Sequence, residues 1–194
     1  MMGDTQLNAA EIKIGVVGLG LMGCSITTCL LMAGHPVVAV APVSVDLTFA
    51  LKRITKHLQR SRREKLVTQA PDFYLQHLHI TESYDQLQGC ALVIECTLEN
   101  LDIKKSVYSK IEAVIDKNAL LASNTSAIPI SILQQQTTHP SRFFGLHWAE
   151  PSHTTRFLEV ICGNESDIAK GEYLYELSHL WGKEPTLVRK DIRG

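Results

Sequence analysis

What the chain lacks narrows it first. No stretch of its 194 residues approaches the ~18 uninterrupted apolar residues that a membrane-spanning helix needs. The opening MMGDTQLNAAE has neither the basic segment nor the apolar core of a secretory signal, and residues 1–11 read as a flexible lead-in. Charge of one sign is missing too. With 19 Lys and Arg against 20 Asp and Glu, the net charge of −1 gives no general attraction to nucleic acid or an anionic membrane. The five cysteines (24, 29, 90, 96 and 162) contain no C-x-x-C pair. Their odd number and apolar neighbours point to reduced thiols in a reducing, cytoplasmic setting. Cys96 stands apart because it follows a strand end, although a small packing role accounts for it. His77 and His79 alternate on one short strand, with no Cys or carboxylate at ligand spacing, so no metal site is expected. There is no internal repeat, low-complexity tract or long linker. A hydrophobic content of 45% over this length is enough for one domain with a sizeable core.

What is present is organised around residues 12–23, IKIGVVGLGLMG. Ile12, Ile14, Val16 and Val17 form a short β-branched run suited to a buried parallel strand. It ends in Gly18-Leu19-Gly20-Leu21-Met22-Gly23, a G-x-G-x-x-G placed after a strand and before a helical pattern over residues 21–33. Gly18 permits a tight turn, Gly20 lets the backbone approach a pyrophosphate, and Gly23 lets the helix pack against the strand. The positive end of that helix favours phosphate. A second strand at 36–40 completes a dinucleotide-binding unit. The alternative is a glycine-rich turn without a ligand. At the end of the second strand, where an acid normally holds the adenosine ribose, the chain has Ala41. Asp46 falls too far into the next helix to replace it safely. Ser44 is a candidate for a 2′-phosphate but has no arginine beside it in sequence.

Strands and helices then alternate: a helix over 45–65, loop or broken helix over 66–73, strands at 78–81 and 91–95, and a helix from 100 to 115. They continue with strands at 119–122, 142–147 and 156–162, a helix over 165–181 and a strand at 184–188. This order predicts an α/β, Rossmann-type, doubly wound, mainly parallel sheet with helices on both faces, over residues 12–194. Residues 52–65 carry seven Lys or Arg against one Glu. They read as a solvated helix face, or as a phosphate patch for an anionic substrate such as coenzyme A. In such a sheet ligands bind beyond the carboxyl ends of the strands, where Glu99, Asn124, Ser126 and His147 fall.

Three segments stand together: Ser123-Asn124-Thr125-Ser126, Phe144-Gly145-Leu146-His147-Trp148-Ala149-Glu150-Pro151, and Phe157-Leu158-Glu159-Val160. With residues 93–100, VIECTLEN, this combination resembles the 3-hydroxyacyl-CoA dehydrogenases, specifically their NAD-binding domain. His147 follows Ser126 by 21 residues and precedes Glu159 by 12, as in that family. The resemblance implies NAD as cofactor and an acyl-CoA or related small molecule as substrate. It implies His147 as general base, Glu159 as the acid that fixes its tautomer, and Ser126 as donor to the substrate oxygen. It puts Asn124 near the nicotinamide or the substrate carbonyl, and Glu99 and Lys104 along the cofactor cleft. Plainer readings stand beside these. Asn124 and Ser126 could cap the helix near Pro129, Glu159 could pair with Arg156, and Lys104 could be a solvated helix lysine.

Two further features depart from the family pattern. Its asparagine after the histidine is Glu150 here. Its helical domain, which supplies dimer contacts and much of the acyl-CoA cleft, would begin where this chain stops, so the chain alone is expected to bind cofactor and turn over poorly. A free hydroxy acid or sugar acid as substrate, and a non-catalytic dinucleotide-binding module, remain the alternatives. The loop also resembles 3-hydroxyisobutyrate and 6-phosphogluconate dehydrogenases, but their Gly-x-x-x-Lys helix has no match.

Overall fold

Four-residue apolar runs with no polar side cannot sit at a surface, and the fold buries them on both faces. A computed structural model describes residues 7–191. It places β1 (Ile14–Val17), β2 (Val37–Val40), β3 (Leu78–Thr81), β4 (Leu92–Glu95), β5 (Leu120–Ser123), β6 (Phe143–Trp148), β7 (Phe157–Cys162) and β8 (Glu184–Val188) in one sheet. The order is β3-β2-β1-β4-β5-β6-β7-β8. Every neighbouring pair is parallel except β6 with β7, which is antiparallel. The expected doubly wound, mainly parallel sheet is therefore present.

Strand alternation assigns each side chain to a layer. Ile14, Val16, Leu92, Ile94, Phe144, Leu146, Leu158 and Val160 join the core under α1 (Leu21–Met32), α2 (Ser44–Arg63) and α6 (Ile168–His179). Val17, Val93, Leu121 and Phe143 join the opposite core under α4 (Leu101–Glu112) and α5 (Ile130–Gln134). Glu95, Ser123, His147 and Glu159 share the parity of this second set, so they belong to the α4 and α5 side.

Some boundaries differ from expectation. The expected break over 66–73 contains the start of a short helix, α3 (Pro71–Leu75), because Pro71 occupies its first turn, where a missing N–H costs nothing. His77 lies in the turn after α3, its N–H bonded to the Tyr74 carbonyl, so it does not share a strand with His79. The helix expected over 165–181 is shorter, because Asp167 caps it by accepting from the Ala169 N–H. Within the expected lead-in, Ala9–Glu11 form a 3₁₀ turn capped by Asn8, while residues 1–6 lie outside the described residues.

The glycine loop is fixed by steric contact. Gly18 has φ +97, and an added Cβ would lie 2.8 Å from the Cys96 carbonyl. At Gly23 a Cβ would lie 1.8 Å from the Gly18 oxygen. At Gly20 it would meet nothing within 4 Å. Gly23→Ala is therefore expected to lower Tm by at least about 2 °C, since overpacking typically costs 1–3 kcal/mol. Gly20→Ala should leave Tm unchanged within error while weakening dinucleotide binding. Thermal melts of the two variants check this, and equal Tm values would contradict it.

Candidate active site

The carboxyl ends of β1, β4, β5 and β6 meet along one edge, and a buried acid orders them. Glu95 ends β4 with no exposed surface. An isolated buried carboxylate would cost several kcal/mol, so it needs partners. Lys104 from α4 donates to both of its oxygens at 2.9 Å. The Tyr108 and Ser123 hydroxyls donate at 3.0 and 2.7 Å, and Thr97 adds its N–H and hydroxyl at 2.6 and 2.5 Å. Burial and the Glu95 charge together push the Tyr108 hydroxyl well above its ordinary range, so it stays a donor.

Lys104 is only 1% exposed. It is not the solvated helix lysine of the plainer reading. The α4 face it occupies points at Glu95, and its ammonium also reaches Glu99 at 3.3 Å. Glu99 in turn accepts from the Ser126 and Ala127 N–H groups, each at 3.0 Å, and from the Thr125 hydroxyl. Partial burial would raise the Glu99 carboxyl, but these hydrogen bonds and Lys104 outweigh it and hold the carboxyl below its usual range. Glu99 thus organises the 124–128 turn. Asn124 accepts from the Trp148 N–H at 3.1 Å, which ties the end of β5 to the end of β6.

His147 and Glu159 are directly opposite in the antiparallel β6–β7 register. Nδ1 of His147 lies 2.8 Å from Oε2 of Glu159, and both side chains are about one third exposed, at 29% and 33%. A carboxylate only accepts, so Nδ1 carries the hydrogen, which in the neutral ring leaves the lone pair on Nε2. The pair lines a cleft of about 370 Å³ together with Ser126, Ile128, Pro129 and Asp191. Glu159 does not pair with Arg156, which bonds Glu184 instead. The structure therefore brings together His147, Glu159 and Ser126, with Asn124 and Glu99 immediately behind them.

The glycine loop stands at the same edge. The Gly18 N–H bonds the Val40 carbonyl at 2.9 Å, and the Cys96 N–H bonds the Val17 carbonyl at 2.7 Å. Gly20 is the N-cap of α1 and supplies no side-chain cap, so the first N–H groups of this 12-residue helix remain for an anion. Open space in front of Gly20 gives a pyrophosphate room to approach. Leu21 is exposed, Met22 is half-buried, and Leu19 is buried and offers the loop only backbone groups. Ala41 is 1% exposed and brings no polar group.

Comparison with known proteins identifies the family. Residues 13–192 match the family described as 3-hydroxyacyl-CoA dehydrogenase, NAD binding domain. The chain belongs to this family. Its cofactor is NAD, and the glycine loop described above suits it. A 5-formyl-3-hydroxy-2-methylpyridine 4-carboxylate 5-dehydrogenase of Mesorhizobium japonicum is 32% identical over 94% of this chain and 59% of its own length. A 3-hydroxybutyryl-CoA dehydrogenase of Bradyrhizobium diazoefficiens is 34% identical over 89% and 59%. The crystal structure of (S)-3-hydroxybutyryl-CoA dehydrogenase from Ralstonia eutropha superposes with a TM-score of 0.87 at 29% identity, covering 93% of this chain and 64% of that one. The chain thus spans about six tenths of the length of these relatives.

Sequence reasoning did not single out Glu95 or Arg53. The signal for Glu95 was an acid closing an otherwise apolar strand, which demands a buried partner. Arg53 carried no comparable signal; α2 brings it back to the glycine loop, where its Nη1 donates to the Leu19 carbonyl at 3.2 Å. The basic face of α2 borders a separate groove of about 1200 Å³, with Lys52, Lys56, Arg62 and Arg63 on its wall. None of the His147 cleft residues line it.

Removing one member of the buried pair should be costly. Lys104→Met strands the Glu95 charge and is expected to cost about 3–5 kcal/mol, lowering Tm by roughly 10 °C. Glu95→Leu combined with Lys104→Met should be milder than Lys104→Met alone. Denaturation of both variants checks this, and a Lys104→Met protein as stable as the parent would contradict it.

Proposed function

We propose that this domain is the cofactor-binding and proton-transferring part of an oxidoreductase that interconverts a 3-hydroxyacyl-CoA and a 3-ketoacyl-CoA. The observation that carries the reading is the His147–Glu159 hydrogen bond at the cleft that also holds Ser126. Oxidising a secondary alcohol removes a proton from oxygen and a hydride from carbon. NAD, when bound, supplies the hydride acceptor. His147 takes the hydroxyl proton at Nε2, and Glu159 holds Nδ1–H and stabilises the imidazolium that results. Ser126 donates to the substrate oxygen, and its position is set by Glu99. Asn124 keeps His147 in register by holding the Trp148 N–H. The family membership and the named 3-hydroxybutyryl-CoA relative support a CoA thioester. The basic wall of α2 suits the phosphates of such a substrate. In this reading the partners are small molecules, the setting is cytoplasmic, and the homodimer contacts and the rest of the acyl cleft come from a further helical domain of the kind the family carries.

A second reading has its own support. The Mesorhizobium relative is named for a substrate without coenzyme A, and Glu150 stands where the family pattern has an asparagine. A free hydroxy acid is the substrate under that reading.

The test uses the longest natural form of the protein with NAD and either (S)-3-hydroxybutyryl-CoA or free 3-hydroxybutyrate. His147→Ala is expected to lower kcat by about 10²–10⁴-fold while NAD affinity stays within about twofold. Turnover of the thioester alone supports the first reading, and turnover of the free acid alone supports the second. Full activity of His147→Ala would overturn both.

A further inference from the structure

The usual reader of the adenosine ribose is a carboxylate at the end of the second strand, and this chain has none there. Ala41 is buried and apolar. The fold brings other charges to the same place. Asp46 stands in the first turn of α2, and Arg53 lies seven residues later, on the same side of that helix. The Arg53 guanidinium is 3.8 Å from the Asp46 carboxylate and 3.2 Å from the Leu19 carbonyl of the glycine loop. That loop is tied through Gly18 N–H to the Val40 carbonyl, one residue before Ala41. Asp46 and Arg53 therefore flank the end of β2 from the helix side, and both are partly exposed, at 27% and 43%. The α2 N-terminus nearby ends on Val43, with no side-chain cap, and is followed by exposed Ser44.

We propose that the Asp46–Arg53 pair, rather than residue 41, reads the adenosine ribose, and that the site therefore admits NADP as well as NAD. The inference rests on the glycine loop binding the dinucleotide. A 2′-hydroxyl is a donor, and Asp46 is the carboxylate available to accept from it. A 2′-phosphate is an anion, and Arg53 supplies free N–H donors in a planar fork that suits phosphate. The acid that repels a 2′-phosphate in NAD-selective sites is replaced by a methyl group at Ala41. Asp46 opposes the phosphate, but Arg53 and the uncapped α2 N–H groups act against that opposition. The pairing is long and solvent-exposed, so Arg53 gives up little in turning to a phosphate. Sequence order hides this arrangement, because Arg53 is nine residues beyond Ser44.

The experiment is a calorimetric titration of the chain and three variants with NAD and with NADP, each variant first checked for an unchanged melt. The parent is expected to bind NADP within about tenfold of NAD. Arg53→Gln should weaken NADP at least about tenfold more than NAD, the value of one charge-assisted hydrogen bond. Asp46→Asn should weaken NAD and spare or strengthen NADP. Ala41→Asp should restore strong preference for NAD, and because it leaves Arg53 in place it tests the site without disturbing the loop contact. Saturable NAD binding without NADP binding overturns the inference and leaves the NAD assignment intact. An equal loss of both ligands in Arg53→Gln also overturns it. Binding of neither dinucleotide to the parent overturns the inference and the assignment together.

Discussion

A carboxylate without solvent around it orders the carboxyl edge of this sheet. Glu95 sits at the end of a central strand, between β1 and β5, where no water can compensate its charge. Lys104, Tyr108, Ser123 and Thr97 are drawn onto it because each removes part of the desolvation cost. The consequence reaches the surface. The same ammonium meets Glu99, and Glu99 gathers the N–H groups of Ser126 and Ala127. Asn124, held to β4 by its own N–H on the Glu95 carbonyl, then pins Trp148. The strand that carries His147 is therefore located by a chain of bonds starting at a buried charge.

The second constraint is the one antiparallel pairing. A turn of chain between β6 and β7 reverses direction and sets His147 opposite Glu159. A one-residue slip would turn Glu159 to the opposite face, into the α6 core. The loop that makes the reversal is itself held. Ser25 on α1 accepts from the Ser152 N–H at 2.8 Å, and its hydroxyl is hydrogen-bonded to Nδ1 of His153, 3.1 Å away. His153 stacks on His57 of α2 with ring centroids 4.6 Å apart. Burial, helped by the His57, Arg60 and Lys183 charges, pushes His153 down to about 4, so its ring is neutral near pH 7. Lys183 donates to the Ser152 and Thr155 carbonyls and lies 5.0 Å over the Trp148 ring.

Much of this was legible in the sequence for physical reasons. The apolar runs at 14–17, 37–40, 92–94 and 120–122 have no polar side, which only a sheet covered on both faces accepts. The glycine spacing reads directly as turn, approach and packing. The 12-residue gap between His147 and Glu159 fits a hairpin-like reversal. What stayed hidden depends on which elements become neighbours. Lys104 reads in sequence as a cleft lysine or a solvated one, and its burial on Glu95 shows only once β4 and α4 are placed against each other. Arg53 looked like one charge in a basic run until α2 crossed back over α1. The break expected over 66–73 overlooks that Pro71 suits a first helical turn.

In the proposed reaction Glu159 prepares His147 as a base. The most direct measurement is the ¹⁵N spectrum of the histidine-labelled chain above pH 8, with His147→Ala assigning the signal. His147 is expected as the tautomer with hydrogen on Nδ1 and a bare Nε2, and Glu159→Gln is expected to shift the tautomer balance. A His147 with hydrogen on Nε2, unaffected by Glu159→Gln, would contradict it.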